Sequence, residues 1–144
     1  MGSTARSFVI LAAVVAVGPA QSDNSQAKPP VSRTDLQIVK KADQILSSAA
    51  KWNRADNRKC PQGAKTVSLY CALEQATLEV TGNFEHRGSV MQEARFAIDE
   101  VVAGKRDYDH RLMGYNNDPT TTFVDIKKII RLTGDRIQAR LKEK

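Results

Sequence analysis

GAKTVSLYCALEQATLEVTG, residues 63–82, reads as a helix that must be enclosed on nearly every side. Val67, Tyr70, Cys71 and Leu78 fall near one face, and Leu69, Ala72, Leu73, Ala76 and Val80 cover the rest. Polar Glu74, Gln75 and Glu79 are left a narrow stripe for water. Such a helix belongs inside a ring of others, and Gly82 stands where a left-handed cap would end it.

The flanking sequence supplies the ring. Upstream, Ser32 with Asp35 three residues on fits a helix start. Leu36, Val39, Ala42, Ile45 or Leu46, Ala49 and Trp52 then recur at helical spacing, which predicts a first helix over residues 34–54 with Trp52 as a core plug. ADNRKCPQ, residues 55–62, is charged and broken by Pro61, so it reads as a loop. Downstream, residues 83–88 form a connection in which His86 and Arg87 are either plain exposed loop residues or weak anion contacts.

Ser89 followed by Gln92 forms a capping-box pattern, and Val90, Met91, Ala94, Ala97, Ile98, Val101 and Val102 line a third helix closed by Gly104. Thr122 caps the last helix, with Asp125 on its first turn and Phe123, Ile126, Ile130, Ile137 and Leu141 on one face. Gly134 is expected to bend or weaken it. With no alternating strand pattern, the fold class is all-α, an antiparallel bundle of about four helices.

Composition agrees with one domain: 144 residues, 41% hydrophobic and 26% charged, with a net charge of +6. Arg6, the apolar run from Phe8 to Val17 and Gly18-Pro19-Ala20 form a signal-peptide pattern cleaved after Ala20. The expected organisation is a cleaved signal peptide over 1–20, a flexible leader over 21–33 ending in Lys28-Pro29-Pro30, and a single helical domain over 34–144. The apolar run is about half of the ~20 residues that span a bilayer, so the protein is expected to be exported, periplasmic or secreted.

In that setting Cys60 and Cys71 are expected to form a disulfide, pinning the incoming loop to the second or third turn of the central helix. Two buried free thiols are the alternative. No metal site and no cofactor is expected, because the two histidines lie in different loops and the methionines read as core residues. The basic charge favours an anionic envelope polymer or a membrane surface as partner. Dispersed Lys and Arg with only three Tyr, four Phe and one Trp argue against nucleic acid.

KRDYDHRLMGYNNDPTT, residues 105–121, is long for a helix-to-helix loop and concentrates chemistry. Asp109, His110 and Asp118 are the candidate acid–base residues, and Tyr108, Arg111, Tyr115, Asn116 and Asn117 the candidate binding residues. Against this stands a structural use, an Asx-type turn at Asn117 and Asp118 ahead of Pro119. Glu74 faces the same side as Tyr70 and Cys71 and could meet this loop. Phosphate-loop, G-x-S-x-G and paired CxxC motifs are absent.

The segment from Tyr70 to Ala76, followed by Tyr115-Asn116-Asn117-Asp118-Pro119 and the helix opening Phe123-Val124-Asp125-Ile126, resembles a family of small bacterial and phage helical domains of unknown function. That family has a C-x-x-G-A-like helix and a W-N-D motif ahead of its final helix. Glu74 stands where the family has a small residue, and Asn116 is an additional residue in the turn. The resemblance spans residues 34–132 and implies a helical fold with the central helix against the Asn117-Asp118 turn; it implies no reaction. The function expected is therefore a small exported binding or structural module. An envelope hydrolase or transferase, with His110 as general base and Arg111 orienting an anionic group, is the alternative.

Overall fold

The computed structural model describes residues 24–144, with Gly2 and Ala13 alone from the segment before them. Apart from those two, the signal peptide expected over 1–20 lies outside the described residues. Five helices follow: α1 Arg33–Ile45, α2 Leu69–Thr81, α3 Ser89–Val102, α4 Arg111–Asn117 and α5 Phe123–Lys142. The fold is an all-α bundle in which α1 packs on α2 and α5, and α3 packs on α5 and α4. Among the described residues no helix is long and apolar enough to cross a membrane.

Burial of α2 follows from its composition. Leu69, Ala72, Leu73 and Ala76 are wholly enclosed and meet a core that includes Leu46, Met91, Ile98, Ile126 and Ile130. The helix is shorter than its apolar pattern. Ser68 caps it by accepting from the Cys71 N–H at 3.1 Å, and residues 63–68 are extended or turn. Gly82 takes the left-handed C-cap at φ 74°. Cys60 and Cys71 are joined, with Cα atoms 5.3 Å apart, so the bridge holds the first turn of α2 and not the second or third.

Two other expectations need correction. The first helix stops at Ile45, and Leu46 and Trp52 reach the core from a bend and a short 3-10 turn over Ala49–Lys51. Trp52 then pairs with Val67 in an isolated parallel bridge, closing residues 53–67 into one loop. The loop expected over residues 105–121 contains α4, which raises the number of α-helices among the described residues to five. Gly134 leaves α5 unbroken; a Cβ there would sit 3.3 Å from Val39 Cγ1, so the missing side chain lets α1 approach α5.

Helix ends show which polar residues are spoken for. Thr122 and Asp125 form the reciprocal box at the start of α5. Asp35 accepts from the Ser32 N–H at 2.7 Å and from the Ser89 hydroxyl at 2.8 Å, tying α1 to α3. Ser89 is therefore the first residue of α3 and Gly88 its N-cap. Gln92 turns away from that end and donates to the Ala27 carbonyl at 2.7 Å.

Candidate anion-binding site

The site residues expected from residues 105–121 divide between the two ends of α4. At its C-terminal end the polar groups face inward. Asn116 is fully buried: its Oδ1 accepts from Trp52 Nε1–H at 2.8 Å and the Leu69 N–H at 3.0 Å. Its Nδ2 donates to the Asn53 carbonyl at 2.9 Å and to Asn117 Oδ1 at 3.0 Å. An amide has two donors and two acceptor sites, so Asn116 has none left for a ligand. Asn117 accepts from the Asp56 N–H at 2.7 Å and donates to the Asp56 carbonyl at 2.8 Å, as a neighbouring strand would.

Asp118 is an Asx-turn residue. One oxygen accepts from the Thr120 N–H and hydroxyl at 2.9 and 2.7 Å, and the other from the Tyr108 hydroxyl at 2.7 Å and Arg106 at 3.2 Å. The Thr120 bonds, then that of Tyr108, hold its carboxyl down at about 2. Tyr108 lies over Gly114, where a Cβ would come 2.6 Å from its ring, and meets buried Tyr115 edge-on at 6.4 Å. Burial first, then Asp125, pushes the Tyr115 hydroxyl up to about 12.

The N-terminal end of α4 is different. Asp109, His110 and Arg111 border a pocket of about 80 Å³ against the loop between α2 and α3. Arg58, Arg87, Arg95, Arg111, His86 and His110 all contribute to its wall, with Tyr70 from α2 and, among the described residues, Asp109 as the one acid. His110 caps α4 at one end and Asp118 at the other, separated by about 12 Å of helix. The three acid–base candidates therefore do not converge, and no hydrogen bond among the described residues joins Asp109 to His110.

Arg95 is the anchor. It is only 6% exposed, and none of the ion pairs among the described residues includes it. Its Nη1 donates to the His86 carbonyl and to Gln92 Oε1, both at 2.9 Å, and its Nη2 lies 3.1 Å from His86 Nε2. Guanidinium only donates, so Nε2 must carry the lone pair and the neutral ring has its proton on Nδ1. That N–H is 2.9 Å from the Tyr70 hydroxyl oxygen, which it enters as donor. The Tyr70 hydroxyl proton is then released to serve a further acceptor.

Electrostatics act in the same direction. Burial, then Arg87 and Arg111, lower Arg95 to about 10, which leaves it charged at neutral pH. Burial first, then Arg95, Arg87, Arg58 and His110, keep His86 below its ordinary value. Two further acids among the described residues lie close to these cations. Arg111 pairs with Asp99 at 2.5 Å, while the buried Asp56 carboxylate accepts from the Arg58 N–H at 2.7 Å and has its other oxygen unpartnered. Arg58 is held there in a left-handed conformation at φ 61°.

Of these groups, Asp109, His110 and Arg111 are expected site residues, and His86 and Arg87 have weak anion contact as one of two expected uses. Arg95 was missed, although its signal is in the sequence: it falls in register with Met91, Ile98 and Val102 on the apolar stripe of α3. Arg58 and Tyr70 carry no such mark.

The fold and the pocket define a disulfide-pinned helical bundle with a small basic pocket at the junction of α2, α3 and α4. No protein-family model matches the chain, and no curated protein or solved structure does either.

Proposed function

We propose that this protein is an exported binding module that captures an anionic group in the Arg95 pocket. The observation that carries the reading is a guanidinium nine-tenths buried without a carboxylate partner among the described residues, beside further cations that lower its own pKa. A buried charge is stable only when it is compensated, and an incoming oxyanion would supply both the charge and the acceptors. The pocket has room for a few waters or one oxyanion of phosphate or carboxylate size. The ligand is thus a terminal phosphate, sulfate or carboxylate on an anionic envelope polymer or a membrane surface, which the basic net charge would attract. Export is supported by the Cys60–Cys71 bridge, which suits an oxidising compartment.

The test is a titration of isotope-labelled protein with inorganic phosphate, sulfate and acetate at constant ionic strength. Saturable amide shifts are expected at Tyr70, His86, Arg95 and His110, and Arg95→Gln should weaken the best ligand at least about tenfold. Equal binding by wild type and Arg95→Gln would sink the reading.

A further inference from the structure

A second cavity lies on the outer side of α2, with two glutamates and one lysine in its wall. It is a cleft of about 890 Å³ between the outer face of α2 and the loop of residues 53–67. Cys71, Glu74, Gln75, Leu78 and Glu79 floor it, and this i, i+3, i+4, i+7, i+8 spacing makes a single helical stripe. The volume falls in the range of small-ligand clefts, roughly 300–1,000 Å³.

The opposite wall is built to stay in place. Its ends are joined by the Trp52–Val67 bridge, with the Asn53 N–H on the Val67 carbonyl at 2.9 Å and the Val67 N–H on the Lys51 carbonyl at 2.8 Å. Its middle is held by the Cys60–Cys71 disulfide and by the paired bonds between Asp56 and Asn117. A loop of this size with closed ends and internal anchors is an Ω-loop, a form that often carries function. The cleft is therefore present before any ligand arrives.

Two floor residues are unexplained by the fold. Leu78 is 43% exposed, whereas the other two leucines of α2, Leu69 and Leu73, are fully buried. Glu74, one turn before it, is half-buried and makes no hydrogen bond or ion pair among the described residues. Its neighbour Glu79 contrasts with it, being paired with Lys41 at 2.7 Å and accepting from Gln75 at 2.8 Å. Burial alone holds the Glu74 carboxyl above its ordinary value, with no partner to offset the desolvation.

We infer that this cleft binds a small primary amine with an apolar stem, its ammonium on Glu74 and its stem against Leu78 and the disulfide. An ammonium is the complement of a lone half-buried carboxylate: it supplies the charge and the donors that the carboxylate lacks. The adjacent leucine and the sulfur bridge give an alkyl stem an apolar surface to cover. Lys59 on the opposite wall discriminates against a second cationic group at that side and admits a polar or anionic one.

The experiment uses three probes with one stem: n-hexylammonium, n-hexanol and hexanoate, titrated into isotope-labelled protein. Saturable amide shifts at Cys71, Glu74 and Leu78 are expected with hexylammonium, weaker ones with hexanol and none with hexanoate. Glu74→Gln, conservative at a half-exposed position, should weaken hexylammonium at least about tenfold and leave hexanol unchanged. Leu78→Ser should weaken both. Arg95→Gln should alter neither, which separates this cleft from the anion pocket. Hexanoate binding as well as hexylammonium, or Glu74→Gln retaining wild-type affinity, would overturn the inference. A lysine-containing peptide binding much more tightly than every small amine would overturn the small-molecule assignment.

Discussion

At the scale of single residues, His86 is the group whose state controls the basic pocket. Neutral His86 accepts from Arg95 through Nε2 and donates to Tyr70 through Nδ1. Protonation would place a hydrogen on Nε2 facing the guanidinium and break that contact. The folded pKa is depressed below the ordinary 6.5, so the folded state takes up this proton less readily than the unfolded chain, and stability falls as pH drops below that value. A bound anion changes the sign of the local field and favours the proton. Sulfate affinity is therefore expected to rise as pH is lowered from 8 to 5.5, with sulfate chosen because its charge stays fixed over this range. Calorimetry in buffers of different ionisation enthalpy should detect proton uptake on binding, and His86→Gln should flatten the profile.

At the scale of elements, the short α4 owes its position to its neighbours. Seven residues are too few for a helix to hold by itself, and Gly114 within it lowers the propensity further. Tyr108 lies over Gly114 in the space a side chain would take, and Asn116 ties the helix to Trp52, Asn53 and Leu69. Asn116→Ala would leave two buried donors and one carbonyl without partners. The expected loss is about 3–5 kcal/mol in chemical denaturation, with Trp52 fluorescence changed in the native baseline. A loss under about 1 kcal/mol would show that water replaces the amide at little cost.

At the scale of the whole molecule, a buried carboxylate joins the two long helices. Glu93 on α3 is fully enclosed and meets Arg136 at 2.9 Å and Arg140 at 2.5 Å on α5. Arg140 continues to the Pro29 carbonyl at 2.9 Å and so holds the segment before α1. Arg136 also lies over Phe96, which Lys28 and Arg111 approach as well, each within 5.6 Å of the ring centre. Glu93→Gln would leave two partly exposed guanidiniums without their shared anion. Because water screens them, the expected cost is about 2–3 kcal/mol, below that of a fully buried pair. The denaturation midpoint should fall with the m-value unchanged.

The sequence by itself determined the helices whose signals are local. Periodicity and caps placed α3 and α5 to within a residue or two, and the two cysteines were the only pair available. Tertiary structure decided what rests on contacts far apart in the chain. Leu46 and Trp52 continue the apolar spacing of α1, yet they reach the core from outside it because the bridge to Val67 bends the chain there. Helix α4 was hidden because one or two turns show no readable period and its stabilising bonds come from residues 47 to 64 positions away. The Asp109, His110 and Arg111 cluster was visible as composition. Its meaning changed once Arg58, Tyr70, His86 and Arg95 were brought beside it by four other segments, because a field is a property of charges in space and not of their order along the chain.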